Sequence, residues 1–287
     1  MTDDGAADGG AEPIPARAAA TVVLVRPEPR RPVHGFEVLL LRKGAGTPFA
    51  AGAWVFPGGA IDPADRDVAD GWHTASDLER RAQRLRVPVE LVRGWHVAAV
   101  REAFEEAGLL LARPGPSGTW PDAQDRERVR RGLIAGDLDA GAFHAWLRSR
   151  GCLVDTAALA LLRRWITPRS EPRRFDTLFL LAEAPQDQEA WADRAEVTEH
   201  RWIAPAAALR AAEDGLLPLI HPTVQTLRAL EACATIGDAR GLGGHGDVPA
   251  VLPHITTDAT GSPVILEPGD PGYPDELICQ ELPEWAE

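Results

Sequence analysis

Residues 101–108 read REAFEEAG. Three glutamates, one arginine and a closing glycine stand in eight positions. On a helix, Glu102, Glu105 and Glu106 fall at i, i+3 and i+4 and share one side. Like charges there repel by a few tenths of a kcal/mol per pair. A bound divalent cation would reverse the sign of that interaction, and an all-carboxylate set suits the hard ions Mg²⁺ or Mn²⁺ better than zinc. The bland alternative is a solvated acidic face. The flanking sequence, WHVAAVREAFEEAGLLLA, predicts one amphipathic helix. Val97, Val100, Phe104 and Ala107 lie near one face and Gly108 is the stop.

Working outward, ATVVLVR (Ala20–Arg26) and FEVLLLRK (Phe36–Lys43) are short, apolar and rich in β-formers. They read as two strands of a hairpin. In GAWVFPGGAIDP, AWVF is strand-like and PGG breaks it into a loop where backbone comes close to a ligand. Residues 66–94 are polar and arginine-rich. Residues 122–165 read as helical, TAALALLRRW included. Asp176–Ala184 reads as a strand and Glu199–Pro205 as a short one. AAALRAAEDG and HPTVQTLRALEACATIG read as helices, the second running from Pro222 to Gly237. The alternation of strands and helices makes the class α/β (α+β). The domain expected is 18–235, between a disordered leader at 1–17 and an irregular, extended C-terminal tail at 236–287.

Composition narrows the function. The chain has 287 residues and a formal net charge of −13. That argues against a general nucleic-acid binder, which needs a basic footprint. No apolar run reaches the length of a membrane span. Cys152, Cys233 and Cys279 form no CxxC pair and read as free thiols of a reducing compartment. The acidic N-terminus lacks the features of a signal peptide. A cytoplasmic location is therefore expected, and a homodimer is left open.

Upstream of the acidic helix, five residues separate Gly59 from Asp65. This arrangement resembles the Nudix box, G-x5-E-x7-R-E-U-x-E-E-x-G-U. Gly59, Arg101, Glu102, Glu105, Glu106, Gly108 and Leu109 match it. Asp65 stands in place of a glutamate, Ala103 in place of a bulky aliphatic. Asp65 and Arg101 stand 36 positions apart where the pattern leaves 8, so 28 residues are inserted. A loop absorbs such length at little entropic cost. The peroxisomal coenzyme A diphosphatase branch of the family has the same split box. Its blocks resemble LLLRKGAGTPFAAGAWVFPGGAIDPADRD, AAVREAFEEAGLLL, a helical segment and WITPRSEPRRFDTLFLLA, in that order, over about residues 18–230. The chain ends EWAE, without a Ser-Lys-Leu-like peroxisomal address.

The resemblance implies a Nudix-type α/β/α sandwich with a mixed sheet and helical insertions. It implies Mg²⁺- or Mn²⁺-dependent hydrolysis of a nucleoside diphosphate linked to a further group. Coenzyme A or acyl-CoA is the leading substrate, ADP-ribose or a dinucleotide the rival. A non-catalytic nucleotide sensor would typically lose a box glutamate, and here all three remain. Glu105 and Glu106 would be the principal ligands, with Glu102 beside them and a backbone carbonyl at Gly58 or Gly59 completing the shell. Arg101 would orient a carboxylate. The general base stays open among Glu102, Glu171, Glu196 and Glu199. Arg173 and Arg174 are the candidates for a substrate phosphate, with Arg42 and Lys43 in reserve. Residues 66–94 are expected to cap the pocket. The histidines show no metal spacing and read as structural or surface. Trp54 and Trp72 are candidates for base stacking.

Overall fold

The structure is a computed structural model describing residues 14–29, 31–47, 50–68, 72–74, 77–192 and 196–277. Most of the expected leader, and Cys279, lie outside these residues.

The first two strands, β1 (Arg17–Glu28) and β2 (Arg31–Lys43), form the expected antiparallel hairpin. Short β3 (Trp54–Val55) pairs with β2, and β4 (Gly58–Ala60) with β1. The glycines expected in a loop are thus strand residues, with Gly59 opposite Ala20. Helices α1 (Pro63–Arg66), α2 (Leu78–Leu85) and α3 (Val89–Ala107) follow. Next come β5 (Ala112–Pro114), α4 (Ala123–Ala135), α5 (Ala140–Ser149), β6 (Cys152–Val154), β7 (Ala160–Ile166), β8 (Phe175–Glu183) and β9 (Val197–Ile203). Helices α6 (Pro205–Glu213), α7 (His221–Glu231) and α8 (Ile236–Arg240) precede β10 (Ala250–Val251), β11 (His254–Thr257) and β12 (Pro263–Leu266).

The main sheet runs β10-β7-β8-β1-β2-β3, with β4 on β1 and β9 on β2. It is mixed: β1 is parallel to β8 and β10 to β7, and the other pairs are antiparallel. Alternation along each strand divides the core into two layers. Ala20, Val22, Leu24, Leu39, Leu41, Leu178 and Leu180 face α3. Val23, Val25, Val38, Leu40, Phe179 and Leu181 face the layer of α6, α7 and α8. The expected α/β/α sandwich is the observed fold.

Three further expectations need correction. TAALALLRRW is not helical: a single turn at Thr156–Ala158 leads into β7. Its leucines, alanines and arginines are good helix formers, but pairing with β8 wins, and Arg164 reaches Asp176 across that pair with Nε–Oδ1 2.8 Å. The helix expected up to Gly237 is two helices, broken between Glu231 and Ile236. The insertion is not a lid. Val68, Trp72, Leu78, Leu85 and Val87 are buried in the same core as α3. The tail lies against the domain: β10 joins the sheet edge, Tyr273 is buried and its hydroxyl donates to the Leu252 carbonyl at 2.7 Å.

Candidate active site

Helix α3 is buried almost all round, which explains its apolar residues on every side before the acidic last turns. It ends at Gly108, whose φ of +73° lets its N–H and that of Leu109 close back on Phe104 and Ala103 at 3.0 and 3.1 Å. Arg130, on α4, supports the same end: its guanidinium donates to the carbonyls of Glu105 at 2.9 Å, Glu106 at 3.0 Å and Trp191 at 2.9 Å. A cation there also opposes the negative end of the helix dipole.

Arg101 is the hub of the cluster. Its guanidinium donates to Asp65 (3.0 Å from Nη2 to Oδ2), to Glu102 Oε1 at 2.8 Å, to Glu105 Oε2 at 3.3 Å and to the Ala60 carbonyl at 3.0 Å. Asp65 is fully buried, completes the capping box of α1 and has His144 Nε2 3.1 Å away. Burial pushes its carboxyl up, yet His144 and Arg101 outweigh that and hold it below the usual range. The aspartate in the glutamate position of the box thus keeps an ion pair with the box arginine across the 28-residue insertion.

The glutamates do not form a solvated face. Glu102 and Glu106 are buried and Glu105 is half-buried. Glu106 accepts from the Gly58 N–H at 3.0 Å and from Lys43 Nζ. Burial first, then the neighbouring charges of Glu106 and Glu105, drive Glu102 up to about 8 against the pull of Arg101. Gly59 sits hard against Glu102: a Cβ there would meet Oε1 at 2.5 Å, so only glycine lets strand and carboxylate approach this closely.

A cavity of ≈ 440 Å³ opens over this arrangement. Gly58, Gly59, Glu102, Glu105 and Glu106 line one side, and Lys43, Arg17, Arg173 and Glu196 are also on its wall. Among the described residues, no three His, Cys, Asp or Glu side chains are already gathered in ligating geometry. Here the carboxylates are held by Arg101, Lys43 and the Gly58 N–H. The donor set nevertheless fits a hard divalent ion: three carboxylates share one cavity, and burial first, with the charges of Glu106 and Glu105 adding to it, pushes Glu102 up against the pull of Arg101.

The two basic pairs separate. Arg173 reaches the cavity, but Arg174 is buried and donates to the carbonyls of Thr167 at 3.1 Å and Ile14 at 2.7 Å, so it is a structural residue. Arg42 turns to the surface and pairs with Glu199 at 2.6 Å, while Lys43 enters the cavity. Strand alternation carried this signal: Leu39, Leu41 and Lys43 share the face that meets α3. Of the base candidates, Glu102 and Glu196 line the cavity, Glu199 is engaged by Arg42, and Glu171 lines a neighbouring chamber. Trp54 and Trp72 are buried, the first under Arg201 and the second beside His144 and Arg148, and neither lines the cavity. His96 is structural, as expected. It is fully buried with Nδ1 2.7 Å from the Val92 carbonyl, and burial followed by Arg81 pushes it down to about 3. Sequence reading missed His144 and Arg130, which lie far from the box and carry no motif.

Comparison with known proteins agrees with this geometry. The family model of the NUDT19 Nudix domain matches residues 74–230. Human acyl-coenzyme A diphosphatase NUDT19 is 31% identical over 90% of this chain and 80% of its own length. The Gallus gallus protein of the same name is 26% identical over 91% of this chain and 80% of its own. Among solved structures, a NUDIX hydrolase from Alicyclobacillus acidocaldarius superposes with a TM-score of 0.63 at 30% identity, over 81% of this chain and 97% of that one. With the box residues assembled around one cavity and a family match spanning most of the fold, the chain belongs to the NUDT19 branch of the Nudix hydrolases.

Proposed function

We propose that the protein hydrolyses the pyrophosphate bond of coenzyme A or acyl-CoA, giving 3′,5′-ADP and 4′-phosphopantetheine or its acylated form. The observation that carries this reading is the single cavity in which Glu102, Glu105 and Glu106 share the wall with Lys43, Arg17 and Arg173. The carboxylates would hold the ion, and the cations would receive the substrate's phosphates. In a chain of net charge −13 those cations must be local. The similarity to proteins named acyl-coenzyme A diphosphatase supports the choice of substrate.

Glu105 and Glu106, with Glu102 and the Gly59 backbone, are the residues that would hold Mg²⁺ or Mn²⁺. Such an ion neutralises diphosphate oxygens and raises the acidity of a water. Lys43, which holds Glu106 here, would give up that carboxylate and turn to a phosphate oxygen. Arg101 fixes the orientation of Glu102 and Glu105 from behind. Glu196 and Glu102, both on the cavity wall, are the candidates to take the proton of the attacking water. Arg173 offers a guanidinium fork to a phosphate. The reading also carries a small-molecule nucleotide as partner and a cytoplasmic location, on the strength of free cysteines; no helix of the described residues is long and apolar enough to cross a membrane. A homodimer is compatible with it.

The test is turnover with Mg²⁺ on CoA, dephospho-CoA, NADH and ADP-ribose, with products identified by mass. CoA is expected to exceed dephospho-CoA, because a site that pairs its cations with a phosphate penalises an analogue lacking it. Arg173→Ala should shrink that preference. A clearly higher kcat/KM on NADH or ADP-ribose would replace this substrate with the dinucleotide class, the metal chemistry unchanged.

A further inference from the structure

Beside the acidic cavity lies a second chamber of ≈ 270 Å³. Thr21, Lys43, Gly58 and Thr177 line both, so the two adjoin at the reaction centre. Their chemistry differs sharply. The second chamber is walled mostly by apolar side chains, among them Val55, Phe56, Ile166, Phe179, Ile255 and Ile265, with Glu171, His221 and Thr223 as polar groups on its wall. Its volume is roughly twenty times the ~10–15 Å³ that one water needs, and an apolar space of that kind favours an apolar guest over water.

Two of those walls come from the C-terminal hairpin of β11 and β12. Ile255 and Ile265 are cross-strand partners and remain 37% and 39% exposed, among the few large apolar side chains left open to solvent in the described residues. The hairpin is fastened over the chamber. His221, at the start of α7, stands 2.9 Å from Glu267, just past β12, and its ring packs edge-on against Trp165. This hairpin lies outside the matched family domain, which ends at residue 230.

We propose that this chamber seats the pantetheine arm of the substrate, with the acyl extension of an acyl-CoA lying across the Ile255–Ile265 pair. The inference rests on the CoA reading above and adds the place of the arm and the element that selects it. A diphosphate held by Lys43 and Arg173, and through the ion by the carboxylates, would have one substituent leading into the adjoining chamber. The apolar wall suits the branched aliphatic arm of pantetheine and disfavours the hydroxyl-rich second ribose of a dinucleotide, whose groups would lose hydrogen bonds to water there. An acylated arm adds contact with two isoleucines already paired across a hairpin.

Octanoyl-pantetheine, which has the arm but neither nucleotide nor phosphate, is the probe. It should inhibit CoA hydrolysis competitively. Ile255→Asp and Ile265→Asp should each raise its inhibition constant at least about tenfold, in the range by which apolar pockets discriminate methylene-sized groups. They should also lower the kcat/KM ratio of octanoyl-CoA to CoA. Ile265→Val should retain both, and Leu216→Asp, at a highly exposed position on neither cavity, should change nothing. If an aspartate variant does not fold, Ile255→Ser and Ile265→Ser make the same measurement. CoA hydrolysis with octanoyl-pantetheine inhibition unaltered by the variants overturns this placement and leaves the CoA reading standing. No hydrolysis of CoA or octanoyl-CoA by the wild type overturns that reading and this placement with it.

Discussion

Replacing Arg101 with alanine removes the group that ties three carboxylates and the Ala60 carbonyl together. Asp65, with no solvent exposure, then keeps only the Asp62 N–H at 2.9 Å and His144 near its other oxygen. Breaking a buried ion pair from one side costs about 3–5 kcal/mol. The two remaining contacts at Asp65, and the ability of Glu102 to take a proton, place the expectation at the lower end, about 3 kcal/mol. A domain holds only about 5–15 kcal/mol in all. With a urea slope of about 3 kcal/mol/M the midpoint should fall by about 1 M. Asp65→Asn, made alone and in the Arg101→Ala background, completes a double-mutant cycle. The double variant should be less destabilised than the sum of the singles by at least ~1 kcal/mol, since the second change removes the charge that the first had stranded. Arg101→Lys should recover only part, because an ammonium cannot fork onto Asp65 and reach Glu102 at once. Additivity within about 0.5 kcal/mol would show that Arg101 and Asp65 act independently and would refute the hub.

Glu106→Gln should fold and lose about 10³-fold or more in kcat, the scale on which metal-assisted stabilisation of a transition state acts; near-wild-type turnover at saturating Mg²⁺ removes Glu106 from the ligand set. Shortening 66–94 to the spacing of the short box should unfold the domain. Five buried side chains from Val68 to Val87, at about 1.5–3 kcal/mol each, are worth as much as the whole stability, and a soluble, cooperatively melting product would contradict this. In metal-free buffer the melting temperature should fall as pH rises from about 6.5 to 8, above the range in which His96, buried neutral, works in the opposite direction. Glu102 has its folded pKa raised from 4.5 to about 8, so the native state binds the extra proton and loses that advantage across this window. Asp65 is shifted the other way and acts only below this range. Saturating Mg²⁺ should flatten the fall, because the ion selects the ionised form; a flat metal-free profile would mean that Glu102 is not raised.

The acidic helix was legible because its information is local: spacing sets the face, and Gly108 sets the end. The β1–β2 hairpin was legible for the same reason. What the sequence hid depends on partners remote in the chain. Arg42 and Arg174 look as fit for a phosphate as Lys43 and Arg173 until the fold turns one of each pair into the cavity and the other onto Glu199 or the Ile14 carbonyl. LALLRRW has helix-forming residues throughout, and only Asp176 on the adjacent strand makes Arg164 a buried strand residue. The insertion leaves the box and returns to it beside the site, which suggested a cap, and it is polar on average. Its few apolar residues fall at the spacing of a core-facing helix, and that spacing, not the mean polarity, determined its place.

The parallel pairing of β1 with β8 sets a schedule for folding on the ribosome. Val25 must wait for Glu183, 158 positions later, before its side of the sheet is closed. At about 5–20 residues per second that is on the order of 8–30 s. Through that interval β1 can pair with β2 on one edge, while its other edge, carrying Ala-Thr-Val-Val-Leu-Val, has no strand to meet. Such an edge is a template for pairing with another chain. The nascent protein is therefore most exposed to misassembly before any residue of β8 has emerged, and slowed translation between β2 and β8 should increase its demand for chaperones more than slowing after β9.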